Sequence, residues 1–347
     1  VKVMLLGRDT APSKAFTLLA SELGSRSCEV FLYAGENGAD EYRRHISNPV
    51  SAVNVLLLGM SSSEKLAADE IYAAETAAKL GVPYGFYADT FGVINHPWFS
   101  HLREGASFVF VINEKEAEAA RKIFPTALVV VSGNPTWEDF FTPKLSREEA
   151  RSRLEVREGE NMVLCPGGKS LAINMLCWGG VIEALSSEPV AEMWKVFLSV
   201  HPMDANGADA YRELAKYSKR VPVRIMTKDH MSSSDMIPGS DFVIESASTV
   251  GIEAACQRKP VIEYFSEIGL TRLEGDTGSR SWDLCESGAA LRVVGNPNNL
   301  ISVIHQVLLY GGGKEMRSRQ EELYPAPPEK GAAVRTMAAV LMEMSKK

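Results

Sequence analysis

The sequence predicts an α/β protein made of two doubly wound domains facing each other across a cleft. Three observations predict it. The chain has 347 residues, more than one core comfortably organises and suited to two domains of ordinary size. Short continuous apolar runs alternate with helical patterns, as in parallel sheets buried on both faces. That alternation halts at the charged stretch FTPKLSREEARSRLEVREGEN and then begins again.

In the first half the strand-like runs are Val3–Gly7, Glu29–Ala34, Asn54–Gly59, Tyr84–Ala88, Phe108–Asn113 and Leu128–Ser132. Helical patterns such as Pro12–Leu23, Ser63–Leu80 and Glu114–Phe124 fit between them. The second half restarts with Met162–Cys165 and continues through Trp194–His201, Pro222–Met226, Asp241–Glu245, Pro260–Tyr264 and Ala290–Val294. YPAPPEKG reads as a stiff linker before a last helix, Ala332–Ser345. The expected division is residues 1–142, residues 143–330, and a terminal segment 331–347 packing back toward the first domain.

Composition narrows the function classes. Hydrophobic residues at 45% and charged residues at 23% are those of a soluble globular protein. A formal net charge of −7 argues against a nucleic-acid surface built on bulk positive potential. Five cysteines without CxxC spacing read as reduced residues, and the six histidines suggest no metal site. The chain opens on VKVMLLG with no cleavable signal pattern, and no apolar run approaches the ~18 residues of a membrane span. A cytoplasmic protein is expected, with peripheral contact at the inner face of a membrane left open.

The most informative stretch is SDFVIESASTVGIEAACQRKPVIEYF, Ser240 to Phe265. A serine-threonine turn between a strand and a helix offers backbone N–H groups and the hydroxyls of Ser246, Ser248 and Thr249 to an anion such as a diphosphate. Glu253 lies four residues after Thr249, on the same helical face, where a carboxylate can accept both hydroxyls of a ribose. The alternative is that Ser248 only caps the helix and Glu253 is solvated.

This stretch resembles the donor-nucleotide segment of GT-B glycosyltransferases and of UDP-N-acetylglucosamine 2-epimerases, including the peptidoglycan N-acetylglucosaminyltransferase and lipid A disaccharide synthase families. Further matches follow in family order: VVVSGNPTWEDFF resembles the turn closing the acceptor domain, VLCPGGKS the first turn of the donor domain, SVHPMD its His-Pro turn and LCESGAALRV its late segment. The resemblance spans roughly Phe108 to Val294. It implies the GT-B fold, two Rossmann-like domains, and a donor set of Gly167, Gly168, Lys169, Ser170, His201, Met226, Ser246, Ser248, Thr249, Glu253 and Arg280. For the glycines the alternative is an ordinary turn, and for His201 a structural role.

Competing phosphate motifs fail on spacing. GGKS lacks the earlier glycine of a P-loop, because Val163 stands in its place, and GRDTAPSKAF lacks G-x-G-x-x-G, so no dinucleotide cofactor is expected. No metal and no cofactor beyond the sugar nucleotide is implied. Relatives of the peptidoglycan transferase type carry a neutral Asn and Gln where counting back from Gly288 reaches Arg280 and Asp276. A guanidinium there is expected to contact the diphosphate or an acidic donor sugar, the alternative being a surface arginine.

Inverting glycosyl transfer needs a base for the acceptor hydroxyl, and two acids stand at strand ends: Asp9 in GRDTAPS and Asp89 in YGFYADTFG. Helix capping is the alternative for each. His96, Trp98 and His101 in INHPWFSHL are expected to form an aromatic wall beside Asp89. The reading is a glycosyltransferase moving a UDP-linked sugar to a glycan or glycolipid acceptor. A non-hydrolysing 2-epimerase is the first alternative, and a non-catalytic nucleotide-sugar-binding protein the second.

Overall fold

The computed structural model describes residues 1–35, 49–168, 170–201, 204, 207–246, 248–277, 283–309 and 312–346. The chain divides into two compact units, Val1–Glu138 with Pro327–Lys347, and Asp139–Ala326.

The first unit holds a six-stranded parallel sheet of β1 (Lys2–Gly7), β2 (Glu29–Ala34), β3 (Val55–Leu58), β4 (Tyr84–Tyr87), β5 (Phe108–Val111) and β6 (Leu128–Val131), in the order β2-β1-β3-β4-β5-β6. Its helices are α1 (Thr10–Ser25), α2 (Glu64–Leu80), α3 (Glu114–Ile123) and, from the chain end, α13 (Ala332–Met344). The apolar runs are continuous because successive side chains enter cores on opposite faces. Val3 and Leu5 pack with Phe16 and Leu19 of α1 and with Met337 and Leu341 of α13. Met4 and Leu6 pack with Ala73, Ala74 and Ala77 of α2. Glu138 fixes the start of α13: its carboxylate accepts the N–H groups of Gly331 and Ala333, two of the amides a helix start leaves without partners.

The second unit repeats the architecture with β7 (Asn161–Pro166), β8 (Trp194–Ser199), β9 (Val223–Met226), β10 (Phe242–Glu245), β11 (Val261–Phe265) and β12 (Leu291–Val294), ordered β12-β11-β10-β7-β8-β9 and parallel throughout. Its helices are α4 (Arg147–Arg153), α5 (Leu171–Ser186), α6 (Gly207–Lys216), α7 (Ser233–Met236), α8 (Thr249–Cys256), α9 (Glu267–Thr277), α10 (Asp283–Glu286), α11 (Pro297–Leu309) and α12 (Gly312–Leu323). Strand starts and ends differ from the sequence expectation by a residue or two, as with β7, which runs on to Pro166.

Both strand orders reverse direction once, in the first unit between β1 and β3 and in the second between β7 and β10. At such a point the loops leaving neighbouring strands diverge to opposite faces, and the crevice between them is where open α/β sheets bind ligands. Among the described residues, no helix is long and apolar enough to cross a membrane.

Candidate functional site

The switch point of the second unit brings together the turn after β10 and the turn after β7. Ser248 is the N-cap of α8, its hydroxyl accepting the Val250 N–H at 3.3 Å, and Thr249 stands exposed in the first turn. Ser246 is buried beside the Cys177 thiol. The turn is braced from below by Glu245, fully buried, whose carboxylate accepts the Ser248 N–H. Glu245 stands in register with Glu263 on β11, also fully buried, and burial together with that second carboxylate drives the Glu245 pKa far up. Glu263 is in turn met by Arg292, whose Nε and Nη2 donate to Oε2 at 3.2 and 3.0 Å.

Glu253 lies one turn along α8 and is 8% exposed, so it is not the solvated surface acid of the alternative reading. Its Oε2 accepts the Ser234 hydroxyl at 2.8 Å. Oε1 has no hydrogen bond among the described residues. Burial raises its pKa, partly offset by that hydroxyl.

The β7 turn serves the protein's own packing more than expected. A Cβ on Gly167 would stand 2.7 Å from the Ser199 carbonyl and 2.9 Å from the Tyr211 hydroxyl, so glycine is required here by β8 and α6. The Gly167 N–H donates to Ser199 O at 2.7 Å. The Gly168 N–H is also occupied, donating to Asn174 Oδ1 at 3.0 Å, while Asn174 Nδ2 donates to Gly168 O at 2.8 Å. Ser170 precedes α5 as its N-cap without a side-chain bond to it. His201, half-buried, follows the end of β8, and Met226 is the last residue of β9. Lys169 and Arg280 lie outside the described residues.

The first unit's switch point gathers acids. Asp9 occupies the N-cap position of α1, yet its side chain makes no cap bond; its Oδ2 accepts the Ser62 N–H, across the crevice, at 2.7 Å. Asp89 follows β4, is 8% exposed, and among the described residues its carboxyl is bonded only by its own N–H. Burial, with Asp9 adding to it, raises its pKa to about 7. Its backbone is held by Asn134 of the SGNP turn, whose Nδ2 donates to Asp89 O at 2.7 Å. Neither acid is therefore a helix cap in the ordinary sense.

His96 stacks on Trp98 with ring centroids 4.5 Å apart, and burial lowers the His96 pKa. Trp98 Nε1 donates to Ser61 O at 3.2 Å, which turns this pair toward the β3 loop. The expectation for His101 is corrected: it faces outward and pairs with Glu75 at 3.2 Å, both half-exposed, so it forms no part of the wall.

Three residues absent from the sequence reading shape these sites: Asn174, Ser234 and Glu70. Glu70 is fully buried on α2 and its pKa is raised to about 7 by burial. Glu70 and Asp89 thus both carry folded pKa values above their ordinary 4.5 and 3.8. The folded chain then holds protons that the unfolded chain has released, so their contribution is full below about pH 4 and falls as pH rises toward about 7. Thermal unfolding at pH 5 and pH 8 checks this: Asp89→Asn is expected to lessen the loss of stability between the two.

No protein-family model matches the chain, and no curated protein sequence matches it. Solved structures do. The UDP-N-acetylglucosamine 2-epimerase of Neisseria meningitidis, bound to UDP-N-acetylglucosamine, is similar with a TM-score of 0.61 at 14% identity, over 99% of this chain and 100% of that one. A putative UDP-N-acetylglucosamine 2-epimerase of Listeria monocytogenes gives 0.63 at 15% identity, over 100% and 97%. MurG of Acinetobacter baumannii gives 0.58 at 13% identity, over 99% of each chain. The chain therefore has the two-domain GT-B-type fold of these proteins. Identities this low carry the fold and leave the chemistry to the residues.

Proposed function

We propose that the protein is a nucleotide-sugar enzyme, a glycosyltransferase that binds a UDP-linked sugar on the second unit and activates a glycan or glycolipid hydroxyl with Asp89 of the first. The observation that carries this reading is Glu253: a buried carboxylate one turn behind the N-terminus of α8, with Oε2 steadied by Ser234 and Oε1 open to a ribose hydroxyl. The helix N-terminus, with Ser248 and Thr249, suits the diphosphate, whose charge it would also stabilise as the nucleotide leaves. Asp89 suits the base because a carboxyl with a pKa near neutrality both holds and releases a proton at working pH.

The transfer balances simply. The acceptor oxygen forms a bond to the anomeric carbon, the bond from that carbon to the diphosphate breaks, and the hydroxyl proton passes to Asp89 while the diphosphate leaves with the electron pair.

A second reading has one observation in its favour. Asp9 acts electrostatically on both Glu70 and Asp89, so the first unit gathers three acids where the sequence reading placed only two. A non-hydrolysing 2-epimerase needs several acids around its sugar, and this cluster supplies candidates. Incubating the protein with UDP-N-acetylglucosamine in D2O separates the two. Epimerisation by proton exchange would put deuterium into the recovered sugar at C2, whereas the transferase is expected to return unlabelled donor and to release UDP when an acceptor is present. Absence of UDP binding, measured by calorimetry, would overturn both.

A further inference from the structure

Glu70 sits in the middle of α2 with no exposed surface, and three donors meet its carboxylate. Oε1 accepts the Arg8 N–H at 3.1 Å and the Ser61 hydroxyl at 2.7 Å, and Oε2 accepts the Ser61 N–H at 3.1 Å. Arg8 directly precedes Asp9, and Ser61 directly precedes Ser62, whose N–H donates to Asp9 Oδ2 at 2.7 Å. The contacts close a ring from Glu70 through Arg8, Asp9, Ser62 and Ser61 back to Glu70.

The sequence makes room for that ring. A Cβ on Gly59 would stand 2.9 Å from Glu70 Oε1 and 3.3 Å from the Cα of Gly7, so both strand ends are glycine where the carboxylate enters. Asp69, the preceding residue of α2, reaches the Arg8 guanidinium at 3.5 Å and draws the same loop inward. The charged groups around Glu70 are therefore Arg8 and Asp9 on the β1 loop and Asp69 on its own helix. The β3 loop faces it with Ser61 and Ser62, which carry no charge.

We propose that Glu70 is a positioning residue of the first unit's site: by holding Arg8 and Ser61 it fixes the two loops between which the Asp9 carboxylate is held. The proposal deepens the reading of Asp89 as the base, yet it concerns the placing of two carboxylates and can be read without any substrate. Protonation of Glu70 leaves a neutral carboxyl whose proton the Ser61 hydroxyl can accept by reversing its bond, so the two amide bonds of the ring lose their charged acceptor. A bond from a backbone N–H to a charged acceptor is among the stronger ones in a protein, so the ring is held less tightly when the charge goes.

The test is a carboxyl-carbon NMR titration of the folded, full-length chain, with Asp89 assigned from the signal missing in Asp89→Asn. In the wild type Asp89 is expected to titrate near neutrality. In Glu70→Gln and Glu70→Asp its midpoint is expected to fall, because Asp9, which adds to burial in raising it, drifts away; Asp9→Asn should give the same fall. Glu70→Asp is the informative variant, since it keeps the charge but is too short to span Arg8 and Ser61 together. A wild-type midpoint in Glu70→Asp would overturn the proposal, leaving Glu70 as packing or charge alone. If neither Glu70 variant folds, Ser61→Ala removes the hydroxyl donor without changing the backbone; a smaller fall in the same direction supports the ring, and an unchanged midpoint overturns it. Failure of the assigned reaction would leave these shifts intact.

Discussion

Asp89→Asn is expected to lower turnover by about 100- to 10,000-fold while UDP affinity stays as in the wild type. The asparagine keeps the shape of the aspartate and the Asn134 bond to its backbone carbonyl, so the loop after β4 should keep its place. What it removes is the carboxyl whose pKa burial and Asp9 lift to about 7. The sign of the pH dependence follows. A base works as the carboxylate, so the rate should climb about tenfold per pH unit up to roughly 7 and then level off, and this limb should vanish in the variant. Stability above pH 7 should not drop in the variant, because a buried charge has been taken away rather than added. UDP affinity falling in step with turnover would make Asp89 a residue of folding or binding. Full turnover in Asp89→Asn would remove it from the chemistry altogether.

The fold is legible in the sequence because its strands are buried on both faces. Runs such as VMLL, VLLL and FVFV need no partner to be recognised, and their alternation with helices leaves parallel sheets as the economical arrangement. The placement of Asp9, Asp89 and Glu253 is legible for a related reason: each sits at a strand end or at a fixed helical spacing, which local pattern predicts. Glu70 is not. In EKLAADEIYAAETAAKL it looks like one acid among several on a polar helix face, and its burial depends on Arg8, 62 residues away, and on Gly59 and Ser61 at the end of the adjoining strand. Ser234 is hidden similarly, in the four-residue helix α7, 19 residues before the carboxylate it meets.

Gly167 illustrates a different gap. A double glycine at the end of a first strand has two explanations, a ligand that must come close or a neighbouring chain segment that already has. Spacing cannot distinguish them. In the folded chain the neighbour is the Ser199 carbonyl of β8 together with the Tyr211 hydroxyl, and both amides of the pair are occupied within the protein. In the proposed reading, recognition of a diphosphate then falls more heavily on the α8 turn, where Ser248 caps the helix and Thr249 is exposed.

That shift of weight makes Glu253 the residue on which the proposed reading of the second unit turns. Glu253→Ala is expected to weaken UDP binding by roughly 1.5–3 kcal/mol, about 10- to 150-fold, which is what loss of a charged hydrogen-bond acceptor costs. The side chain is 8% exposed and already steadied by Ser234 at 2.8 Å, so little ordering cost remains to be met when a ribose arrives. Two controls separate recognition from packing. Ser234→Ala leaves the carboxylate in place but loosens it, and a smaller loss of UDP affinity is expected, near the ~1 kcal/mol of a single hydrogen bond. Inorganic pyrophosphate carries the diphosphate without the ribose, so its affinity should be the same in Glu253→Ala as in the wild type. Equal losses for UDP and pyrophosphate would mean that the substitution had disturbed the α8 turn and that Glu253 does not read the ribose. Unchanged UDP binding in Glu253→Ala, measured by calorimetry on folded protein, would remove the nucleotide from this helix and with it the reason to seek a sugar donor.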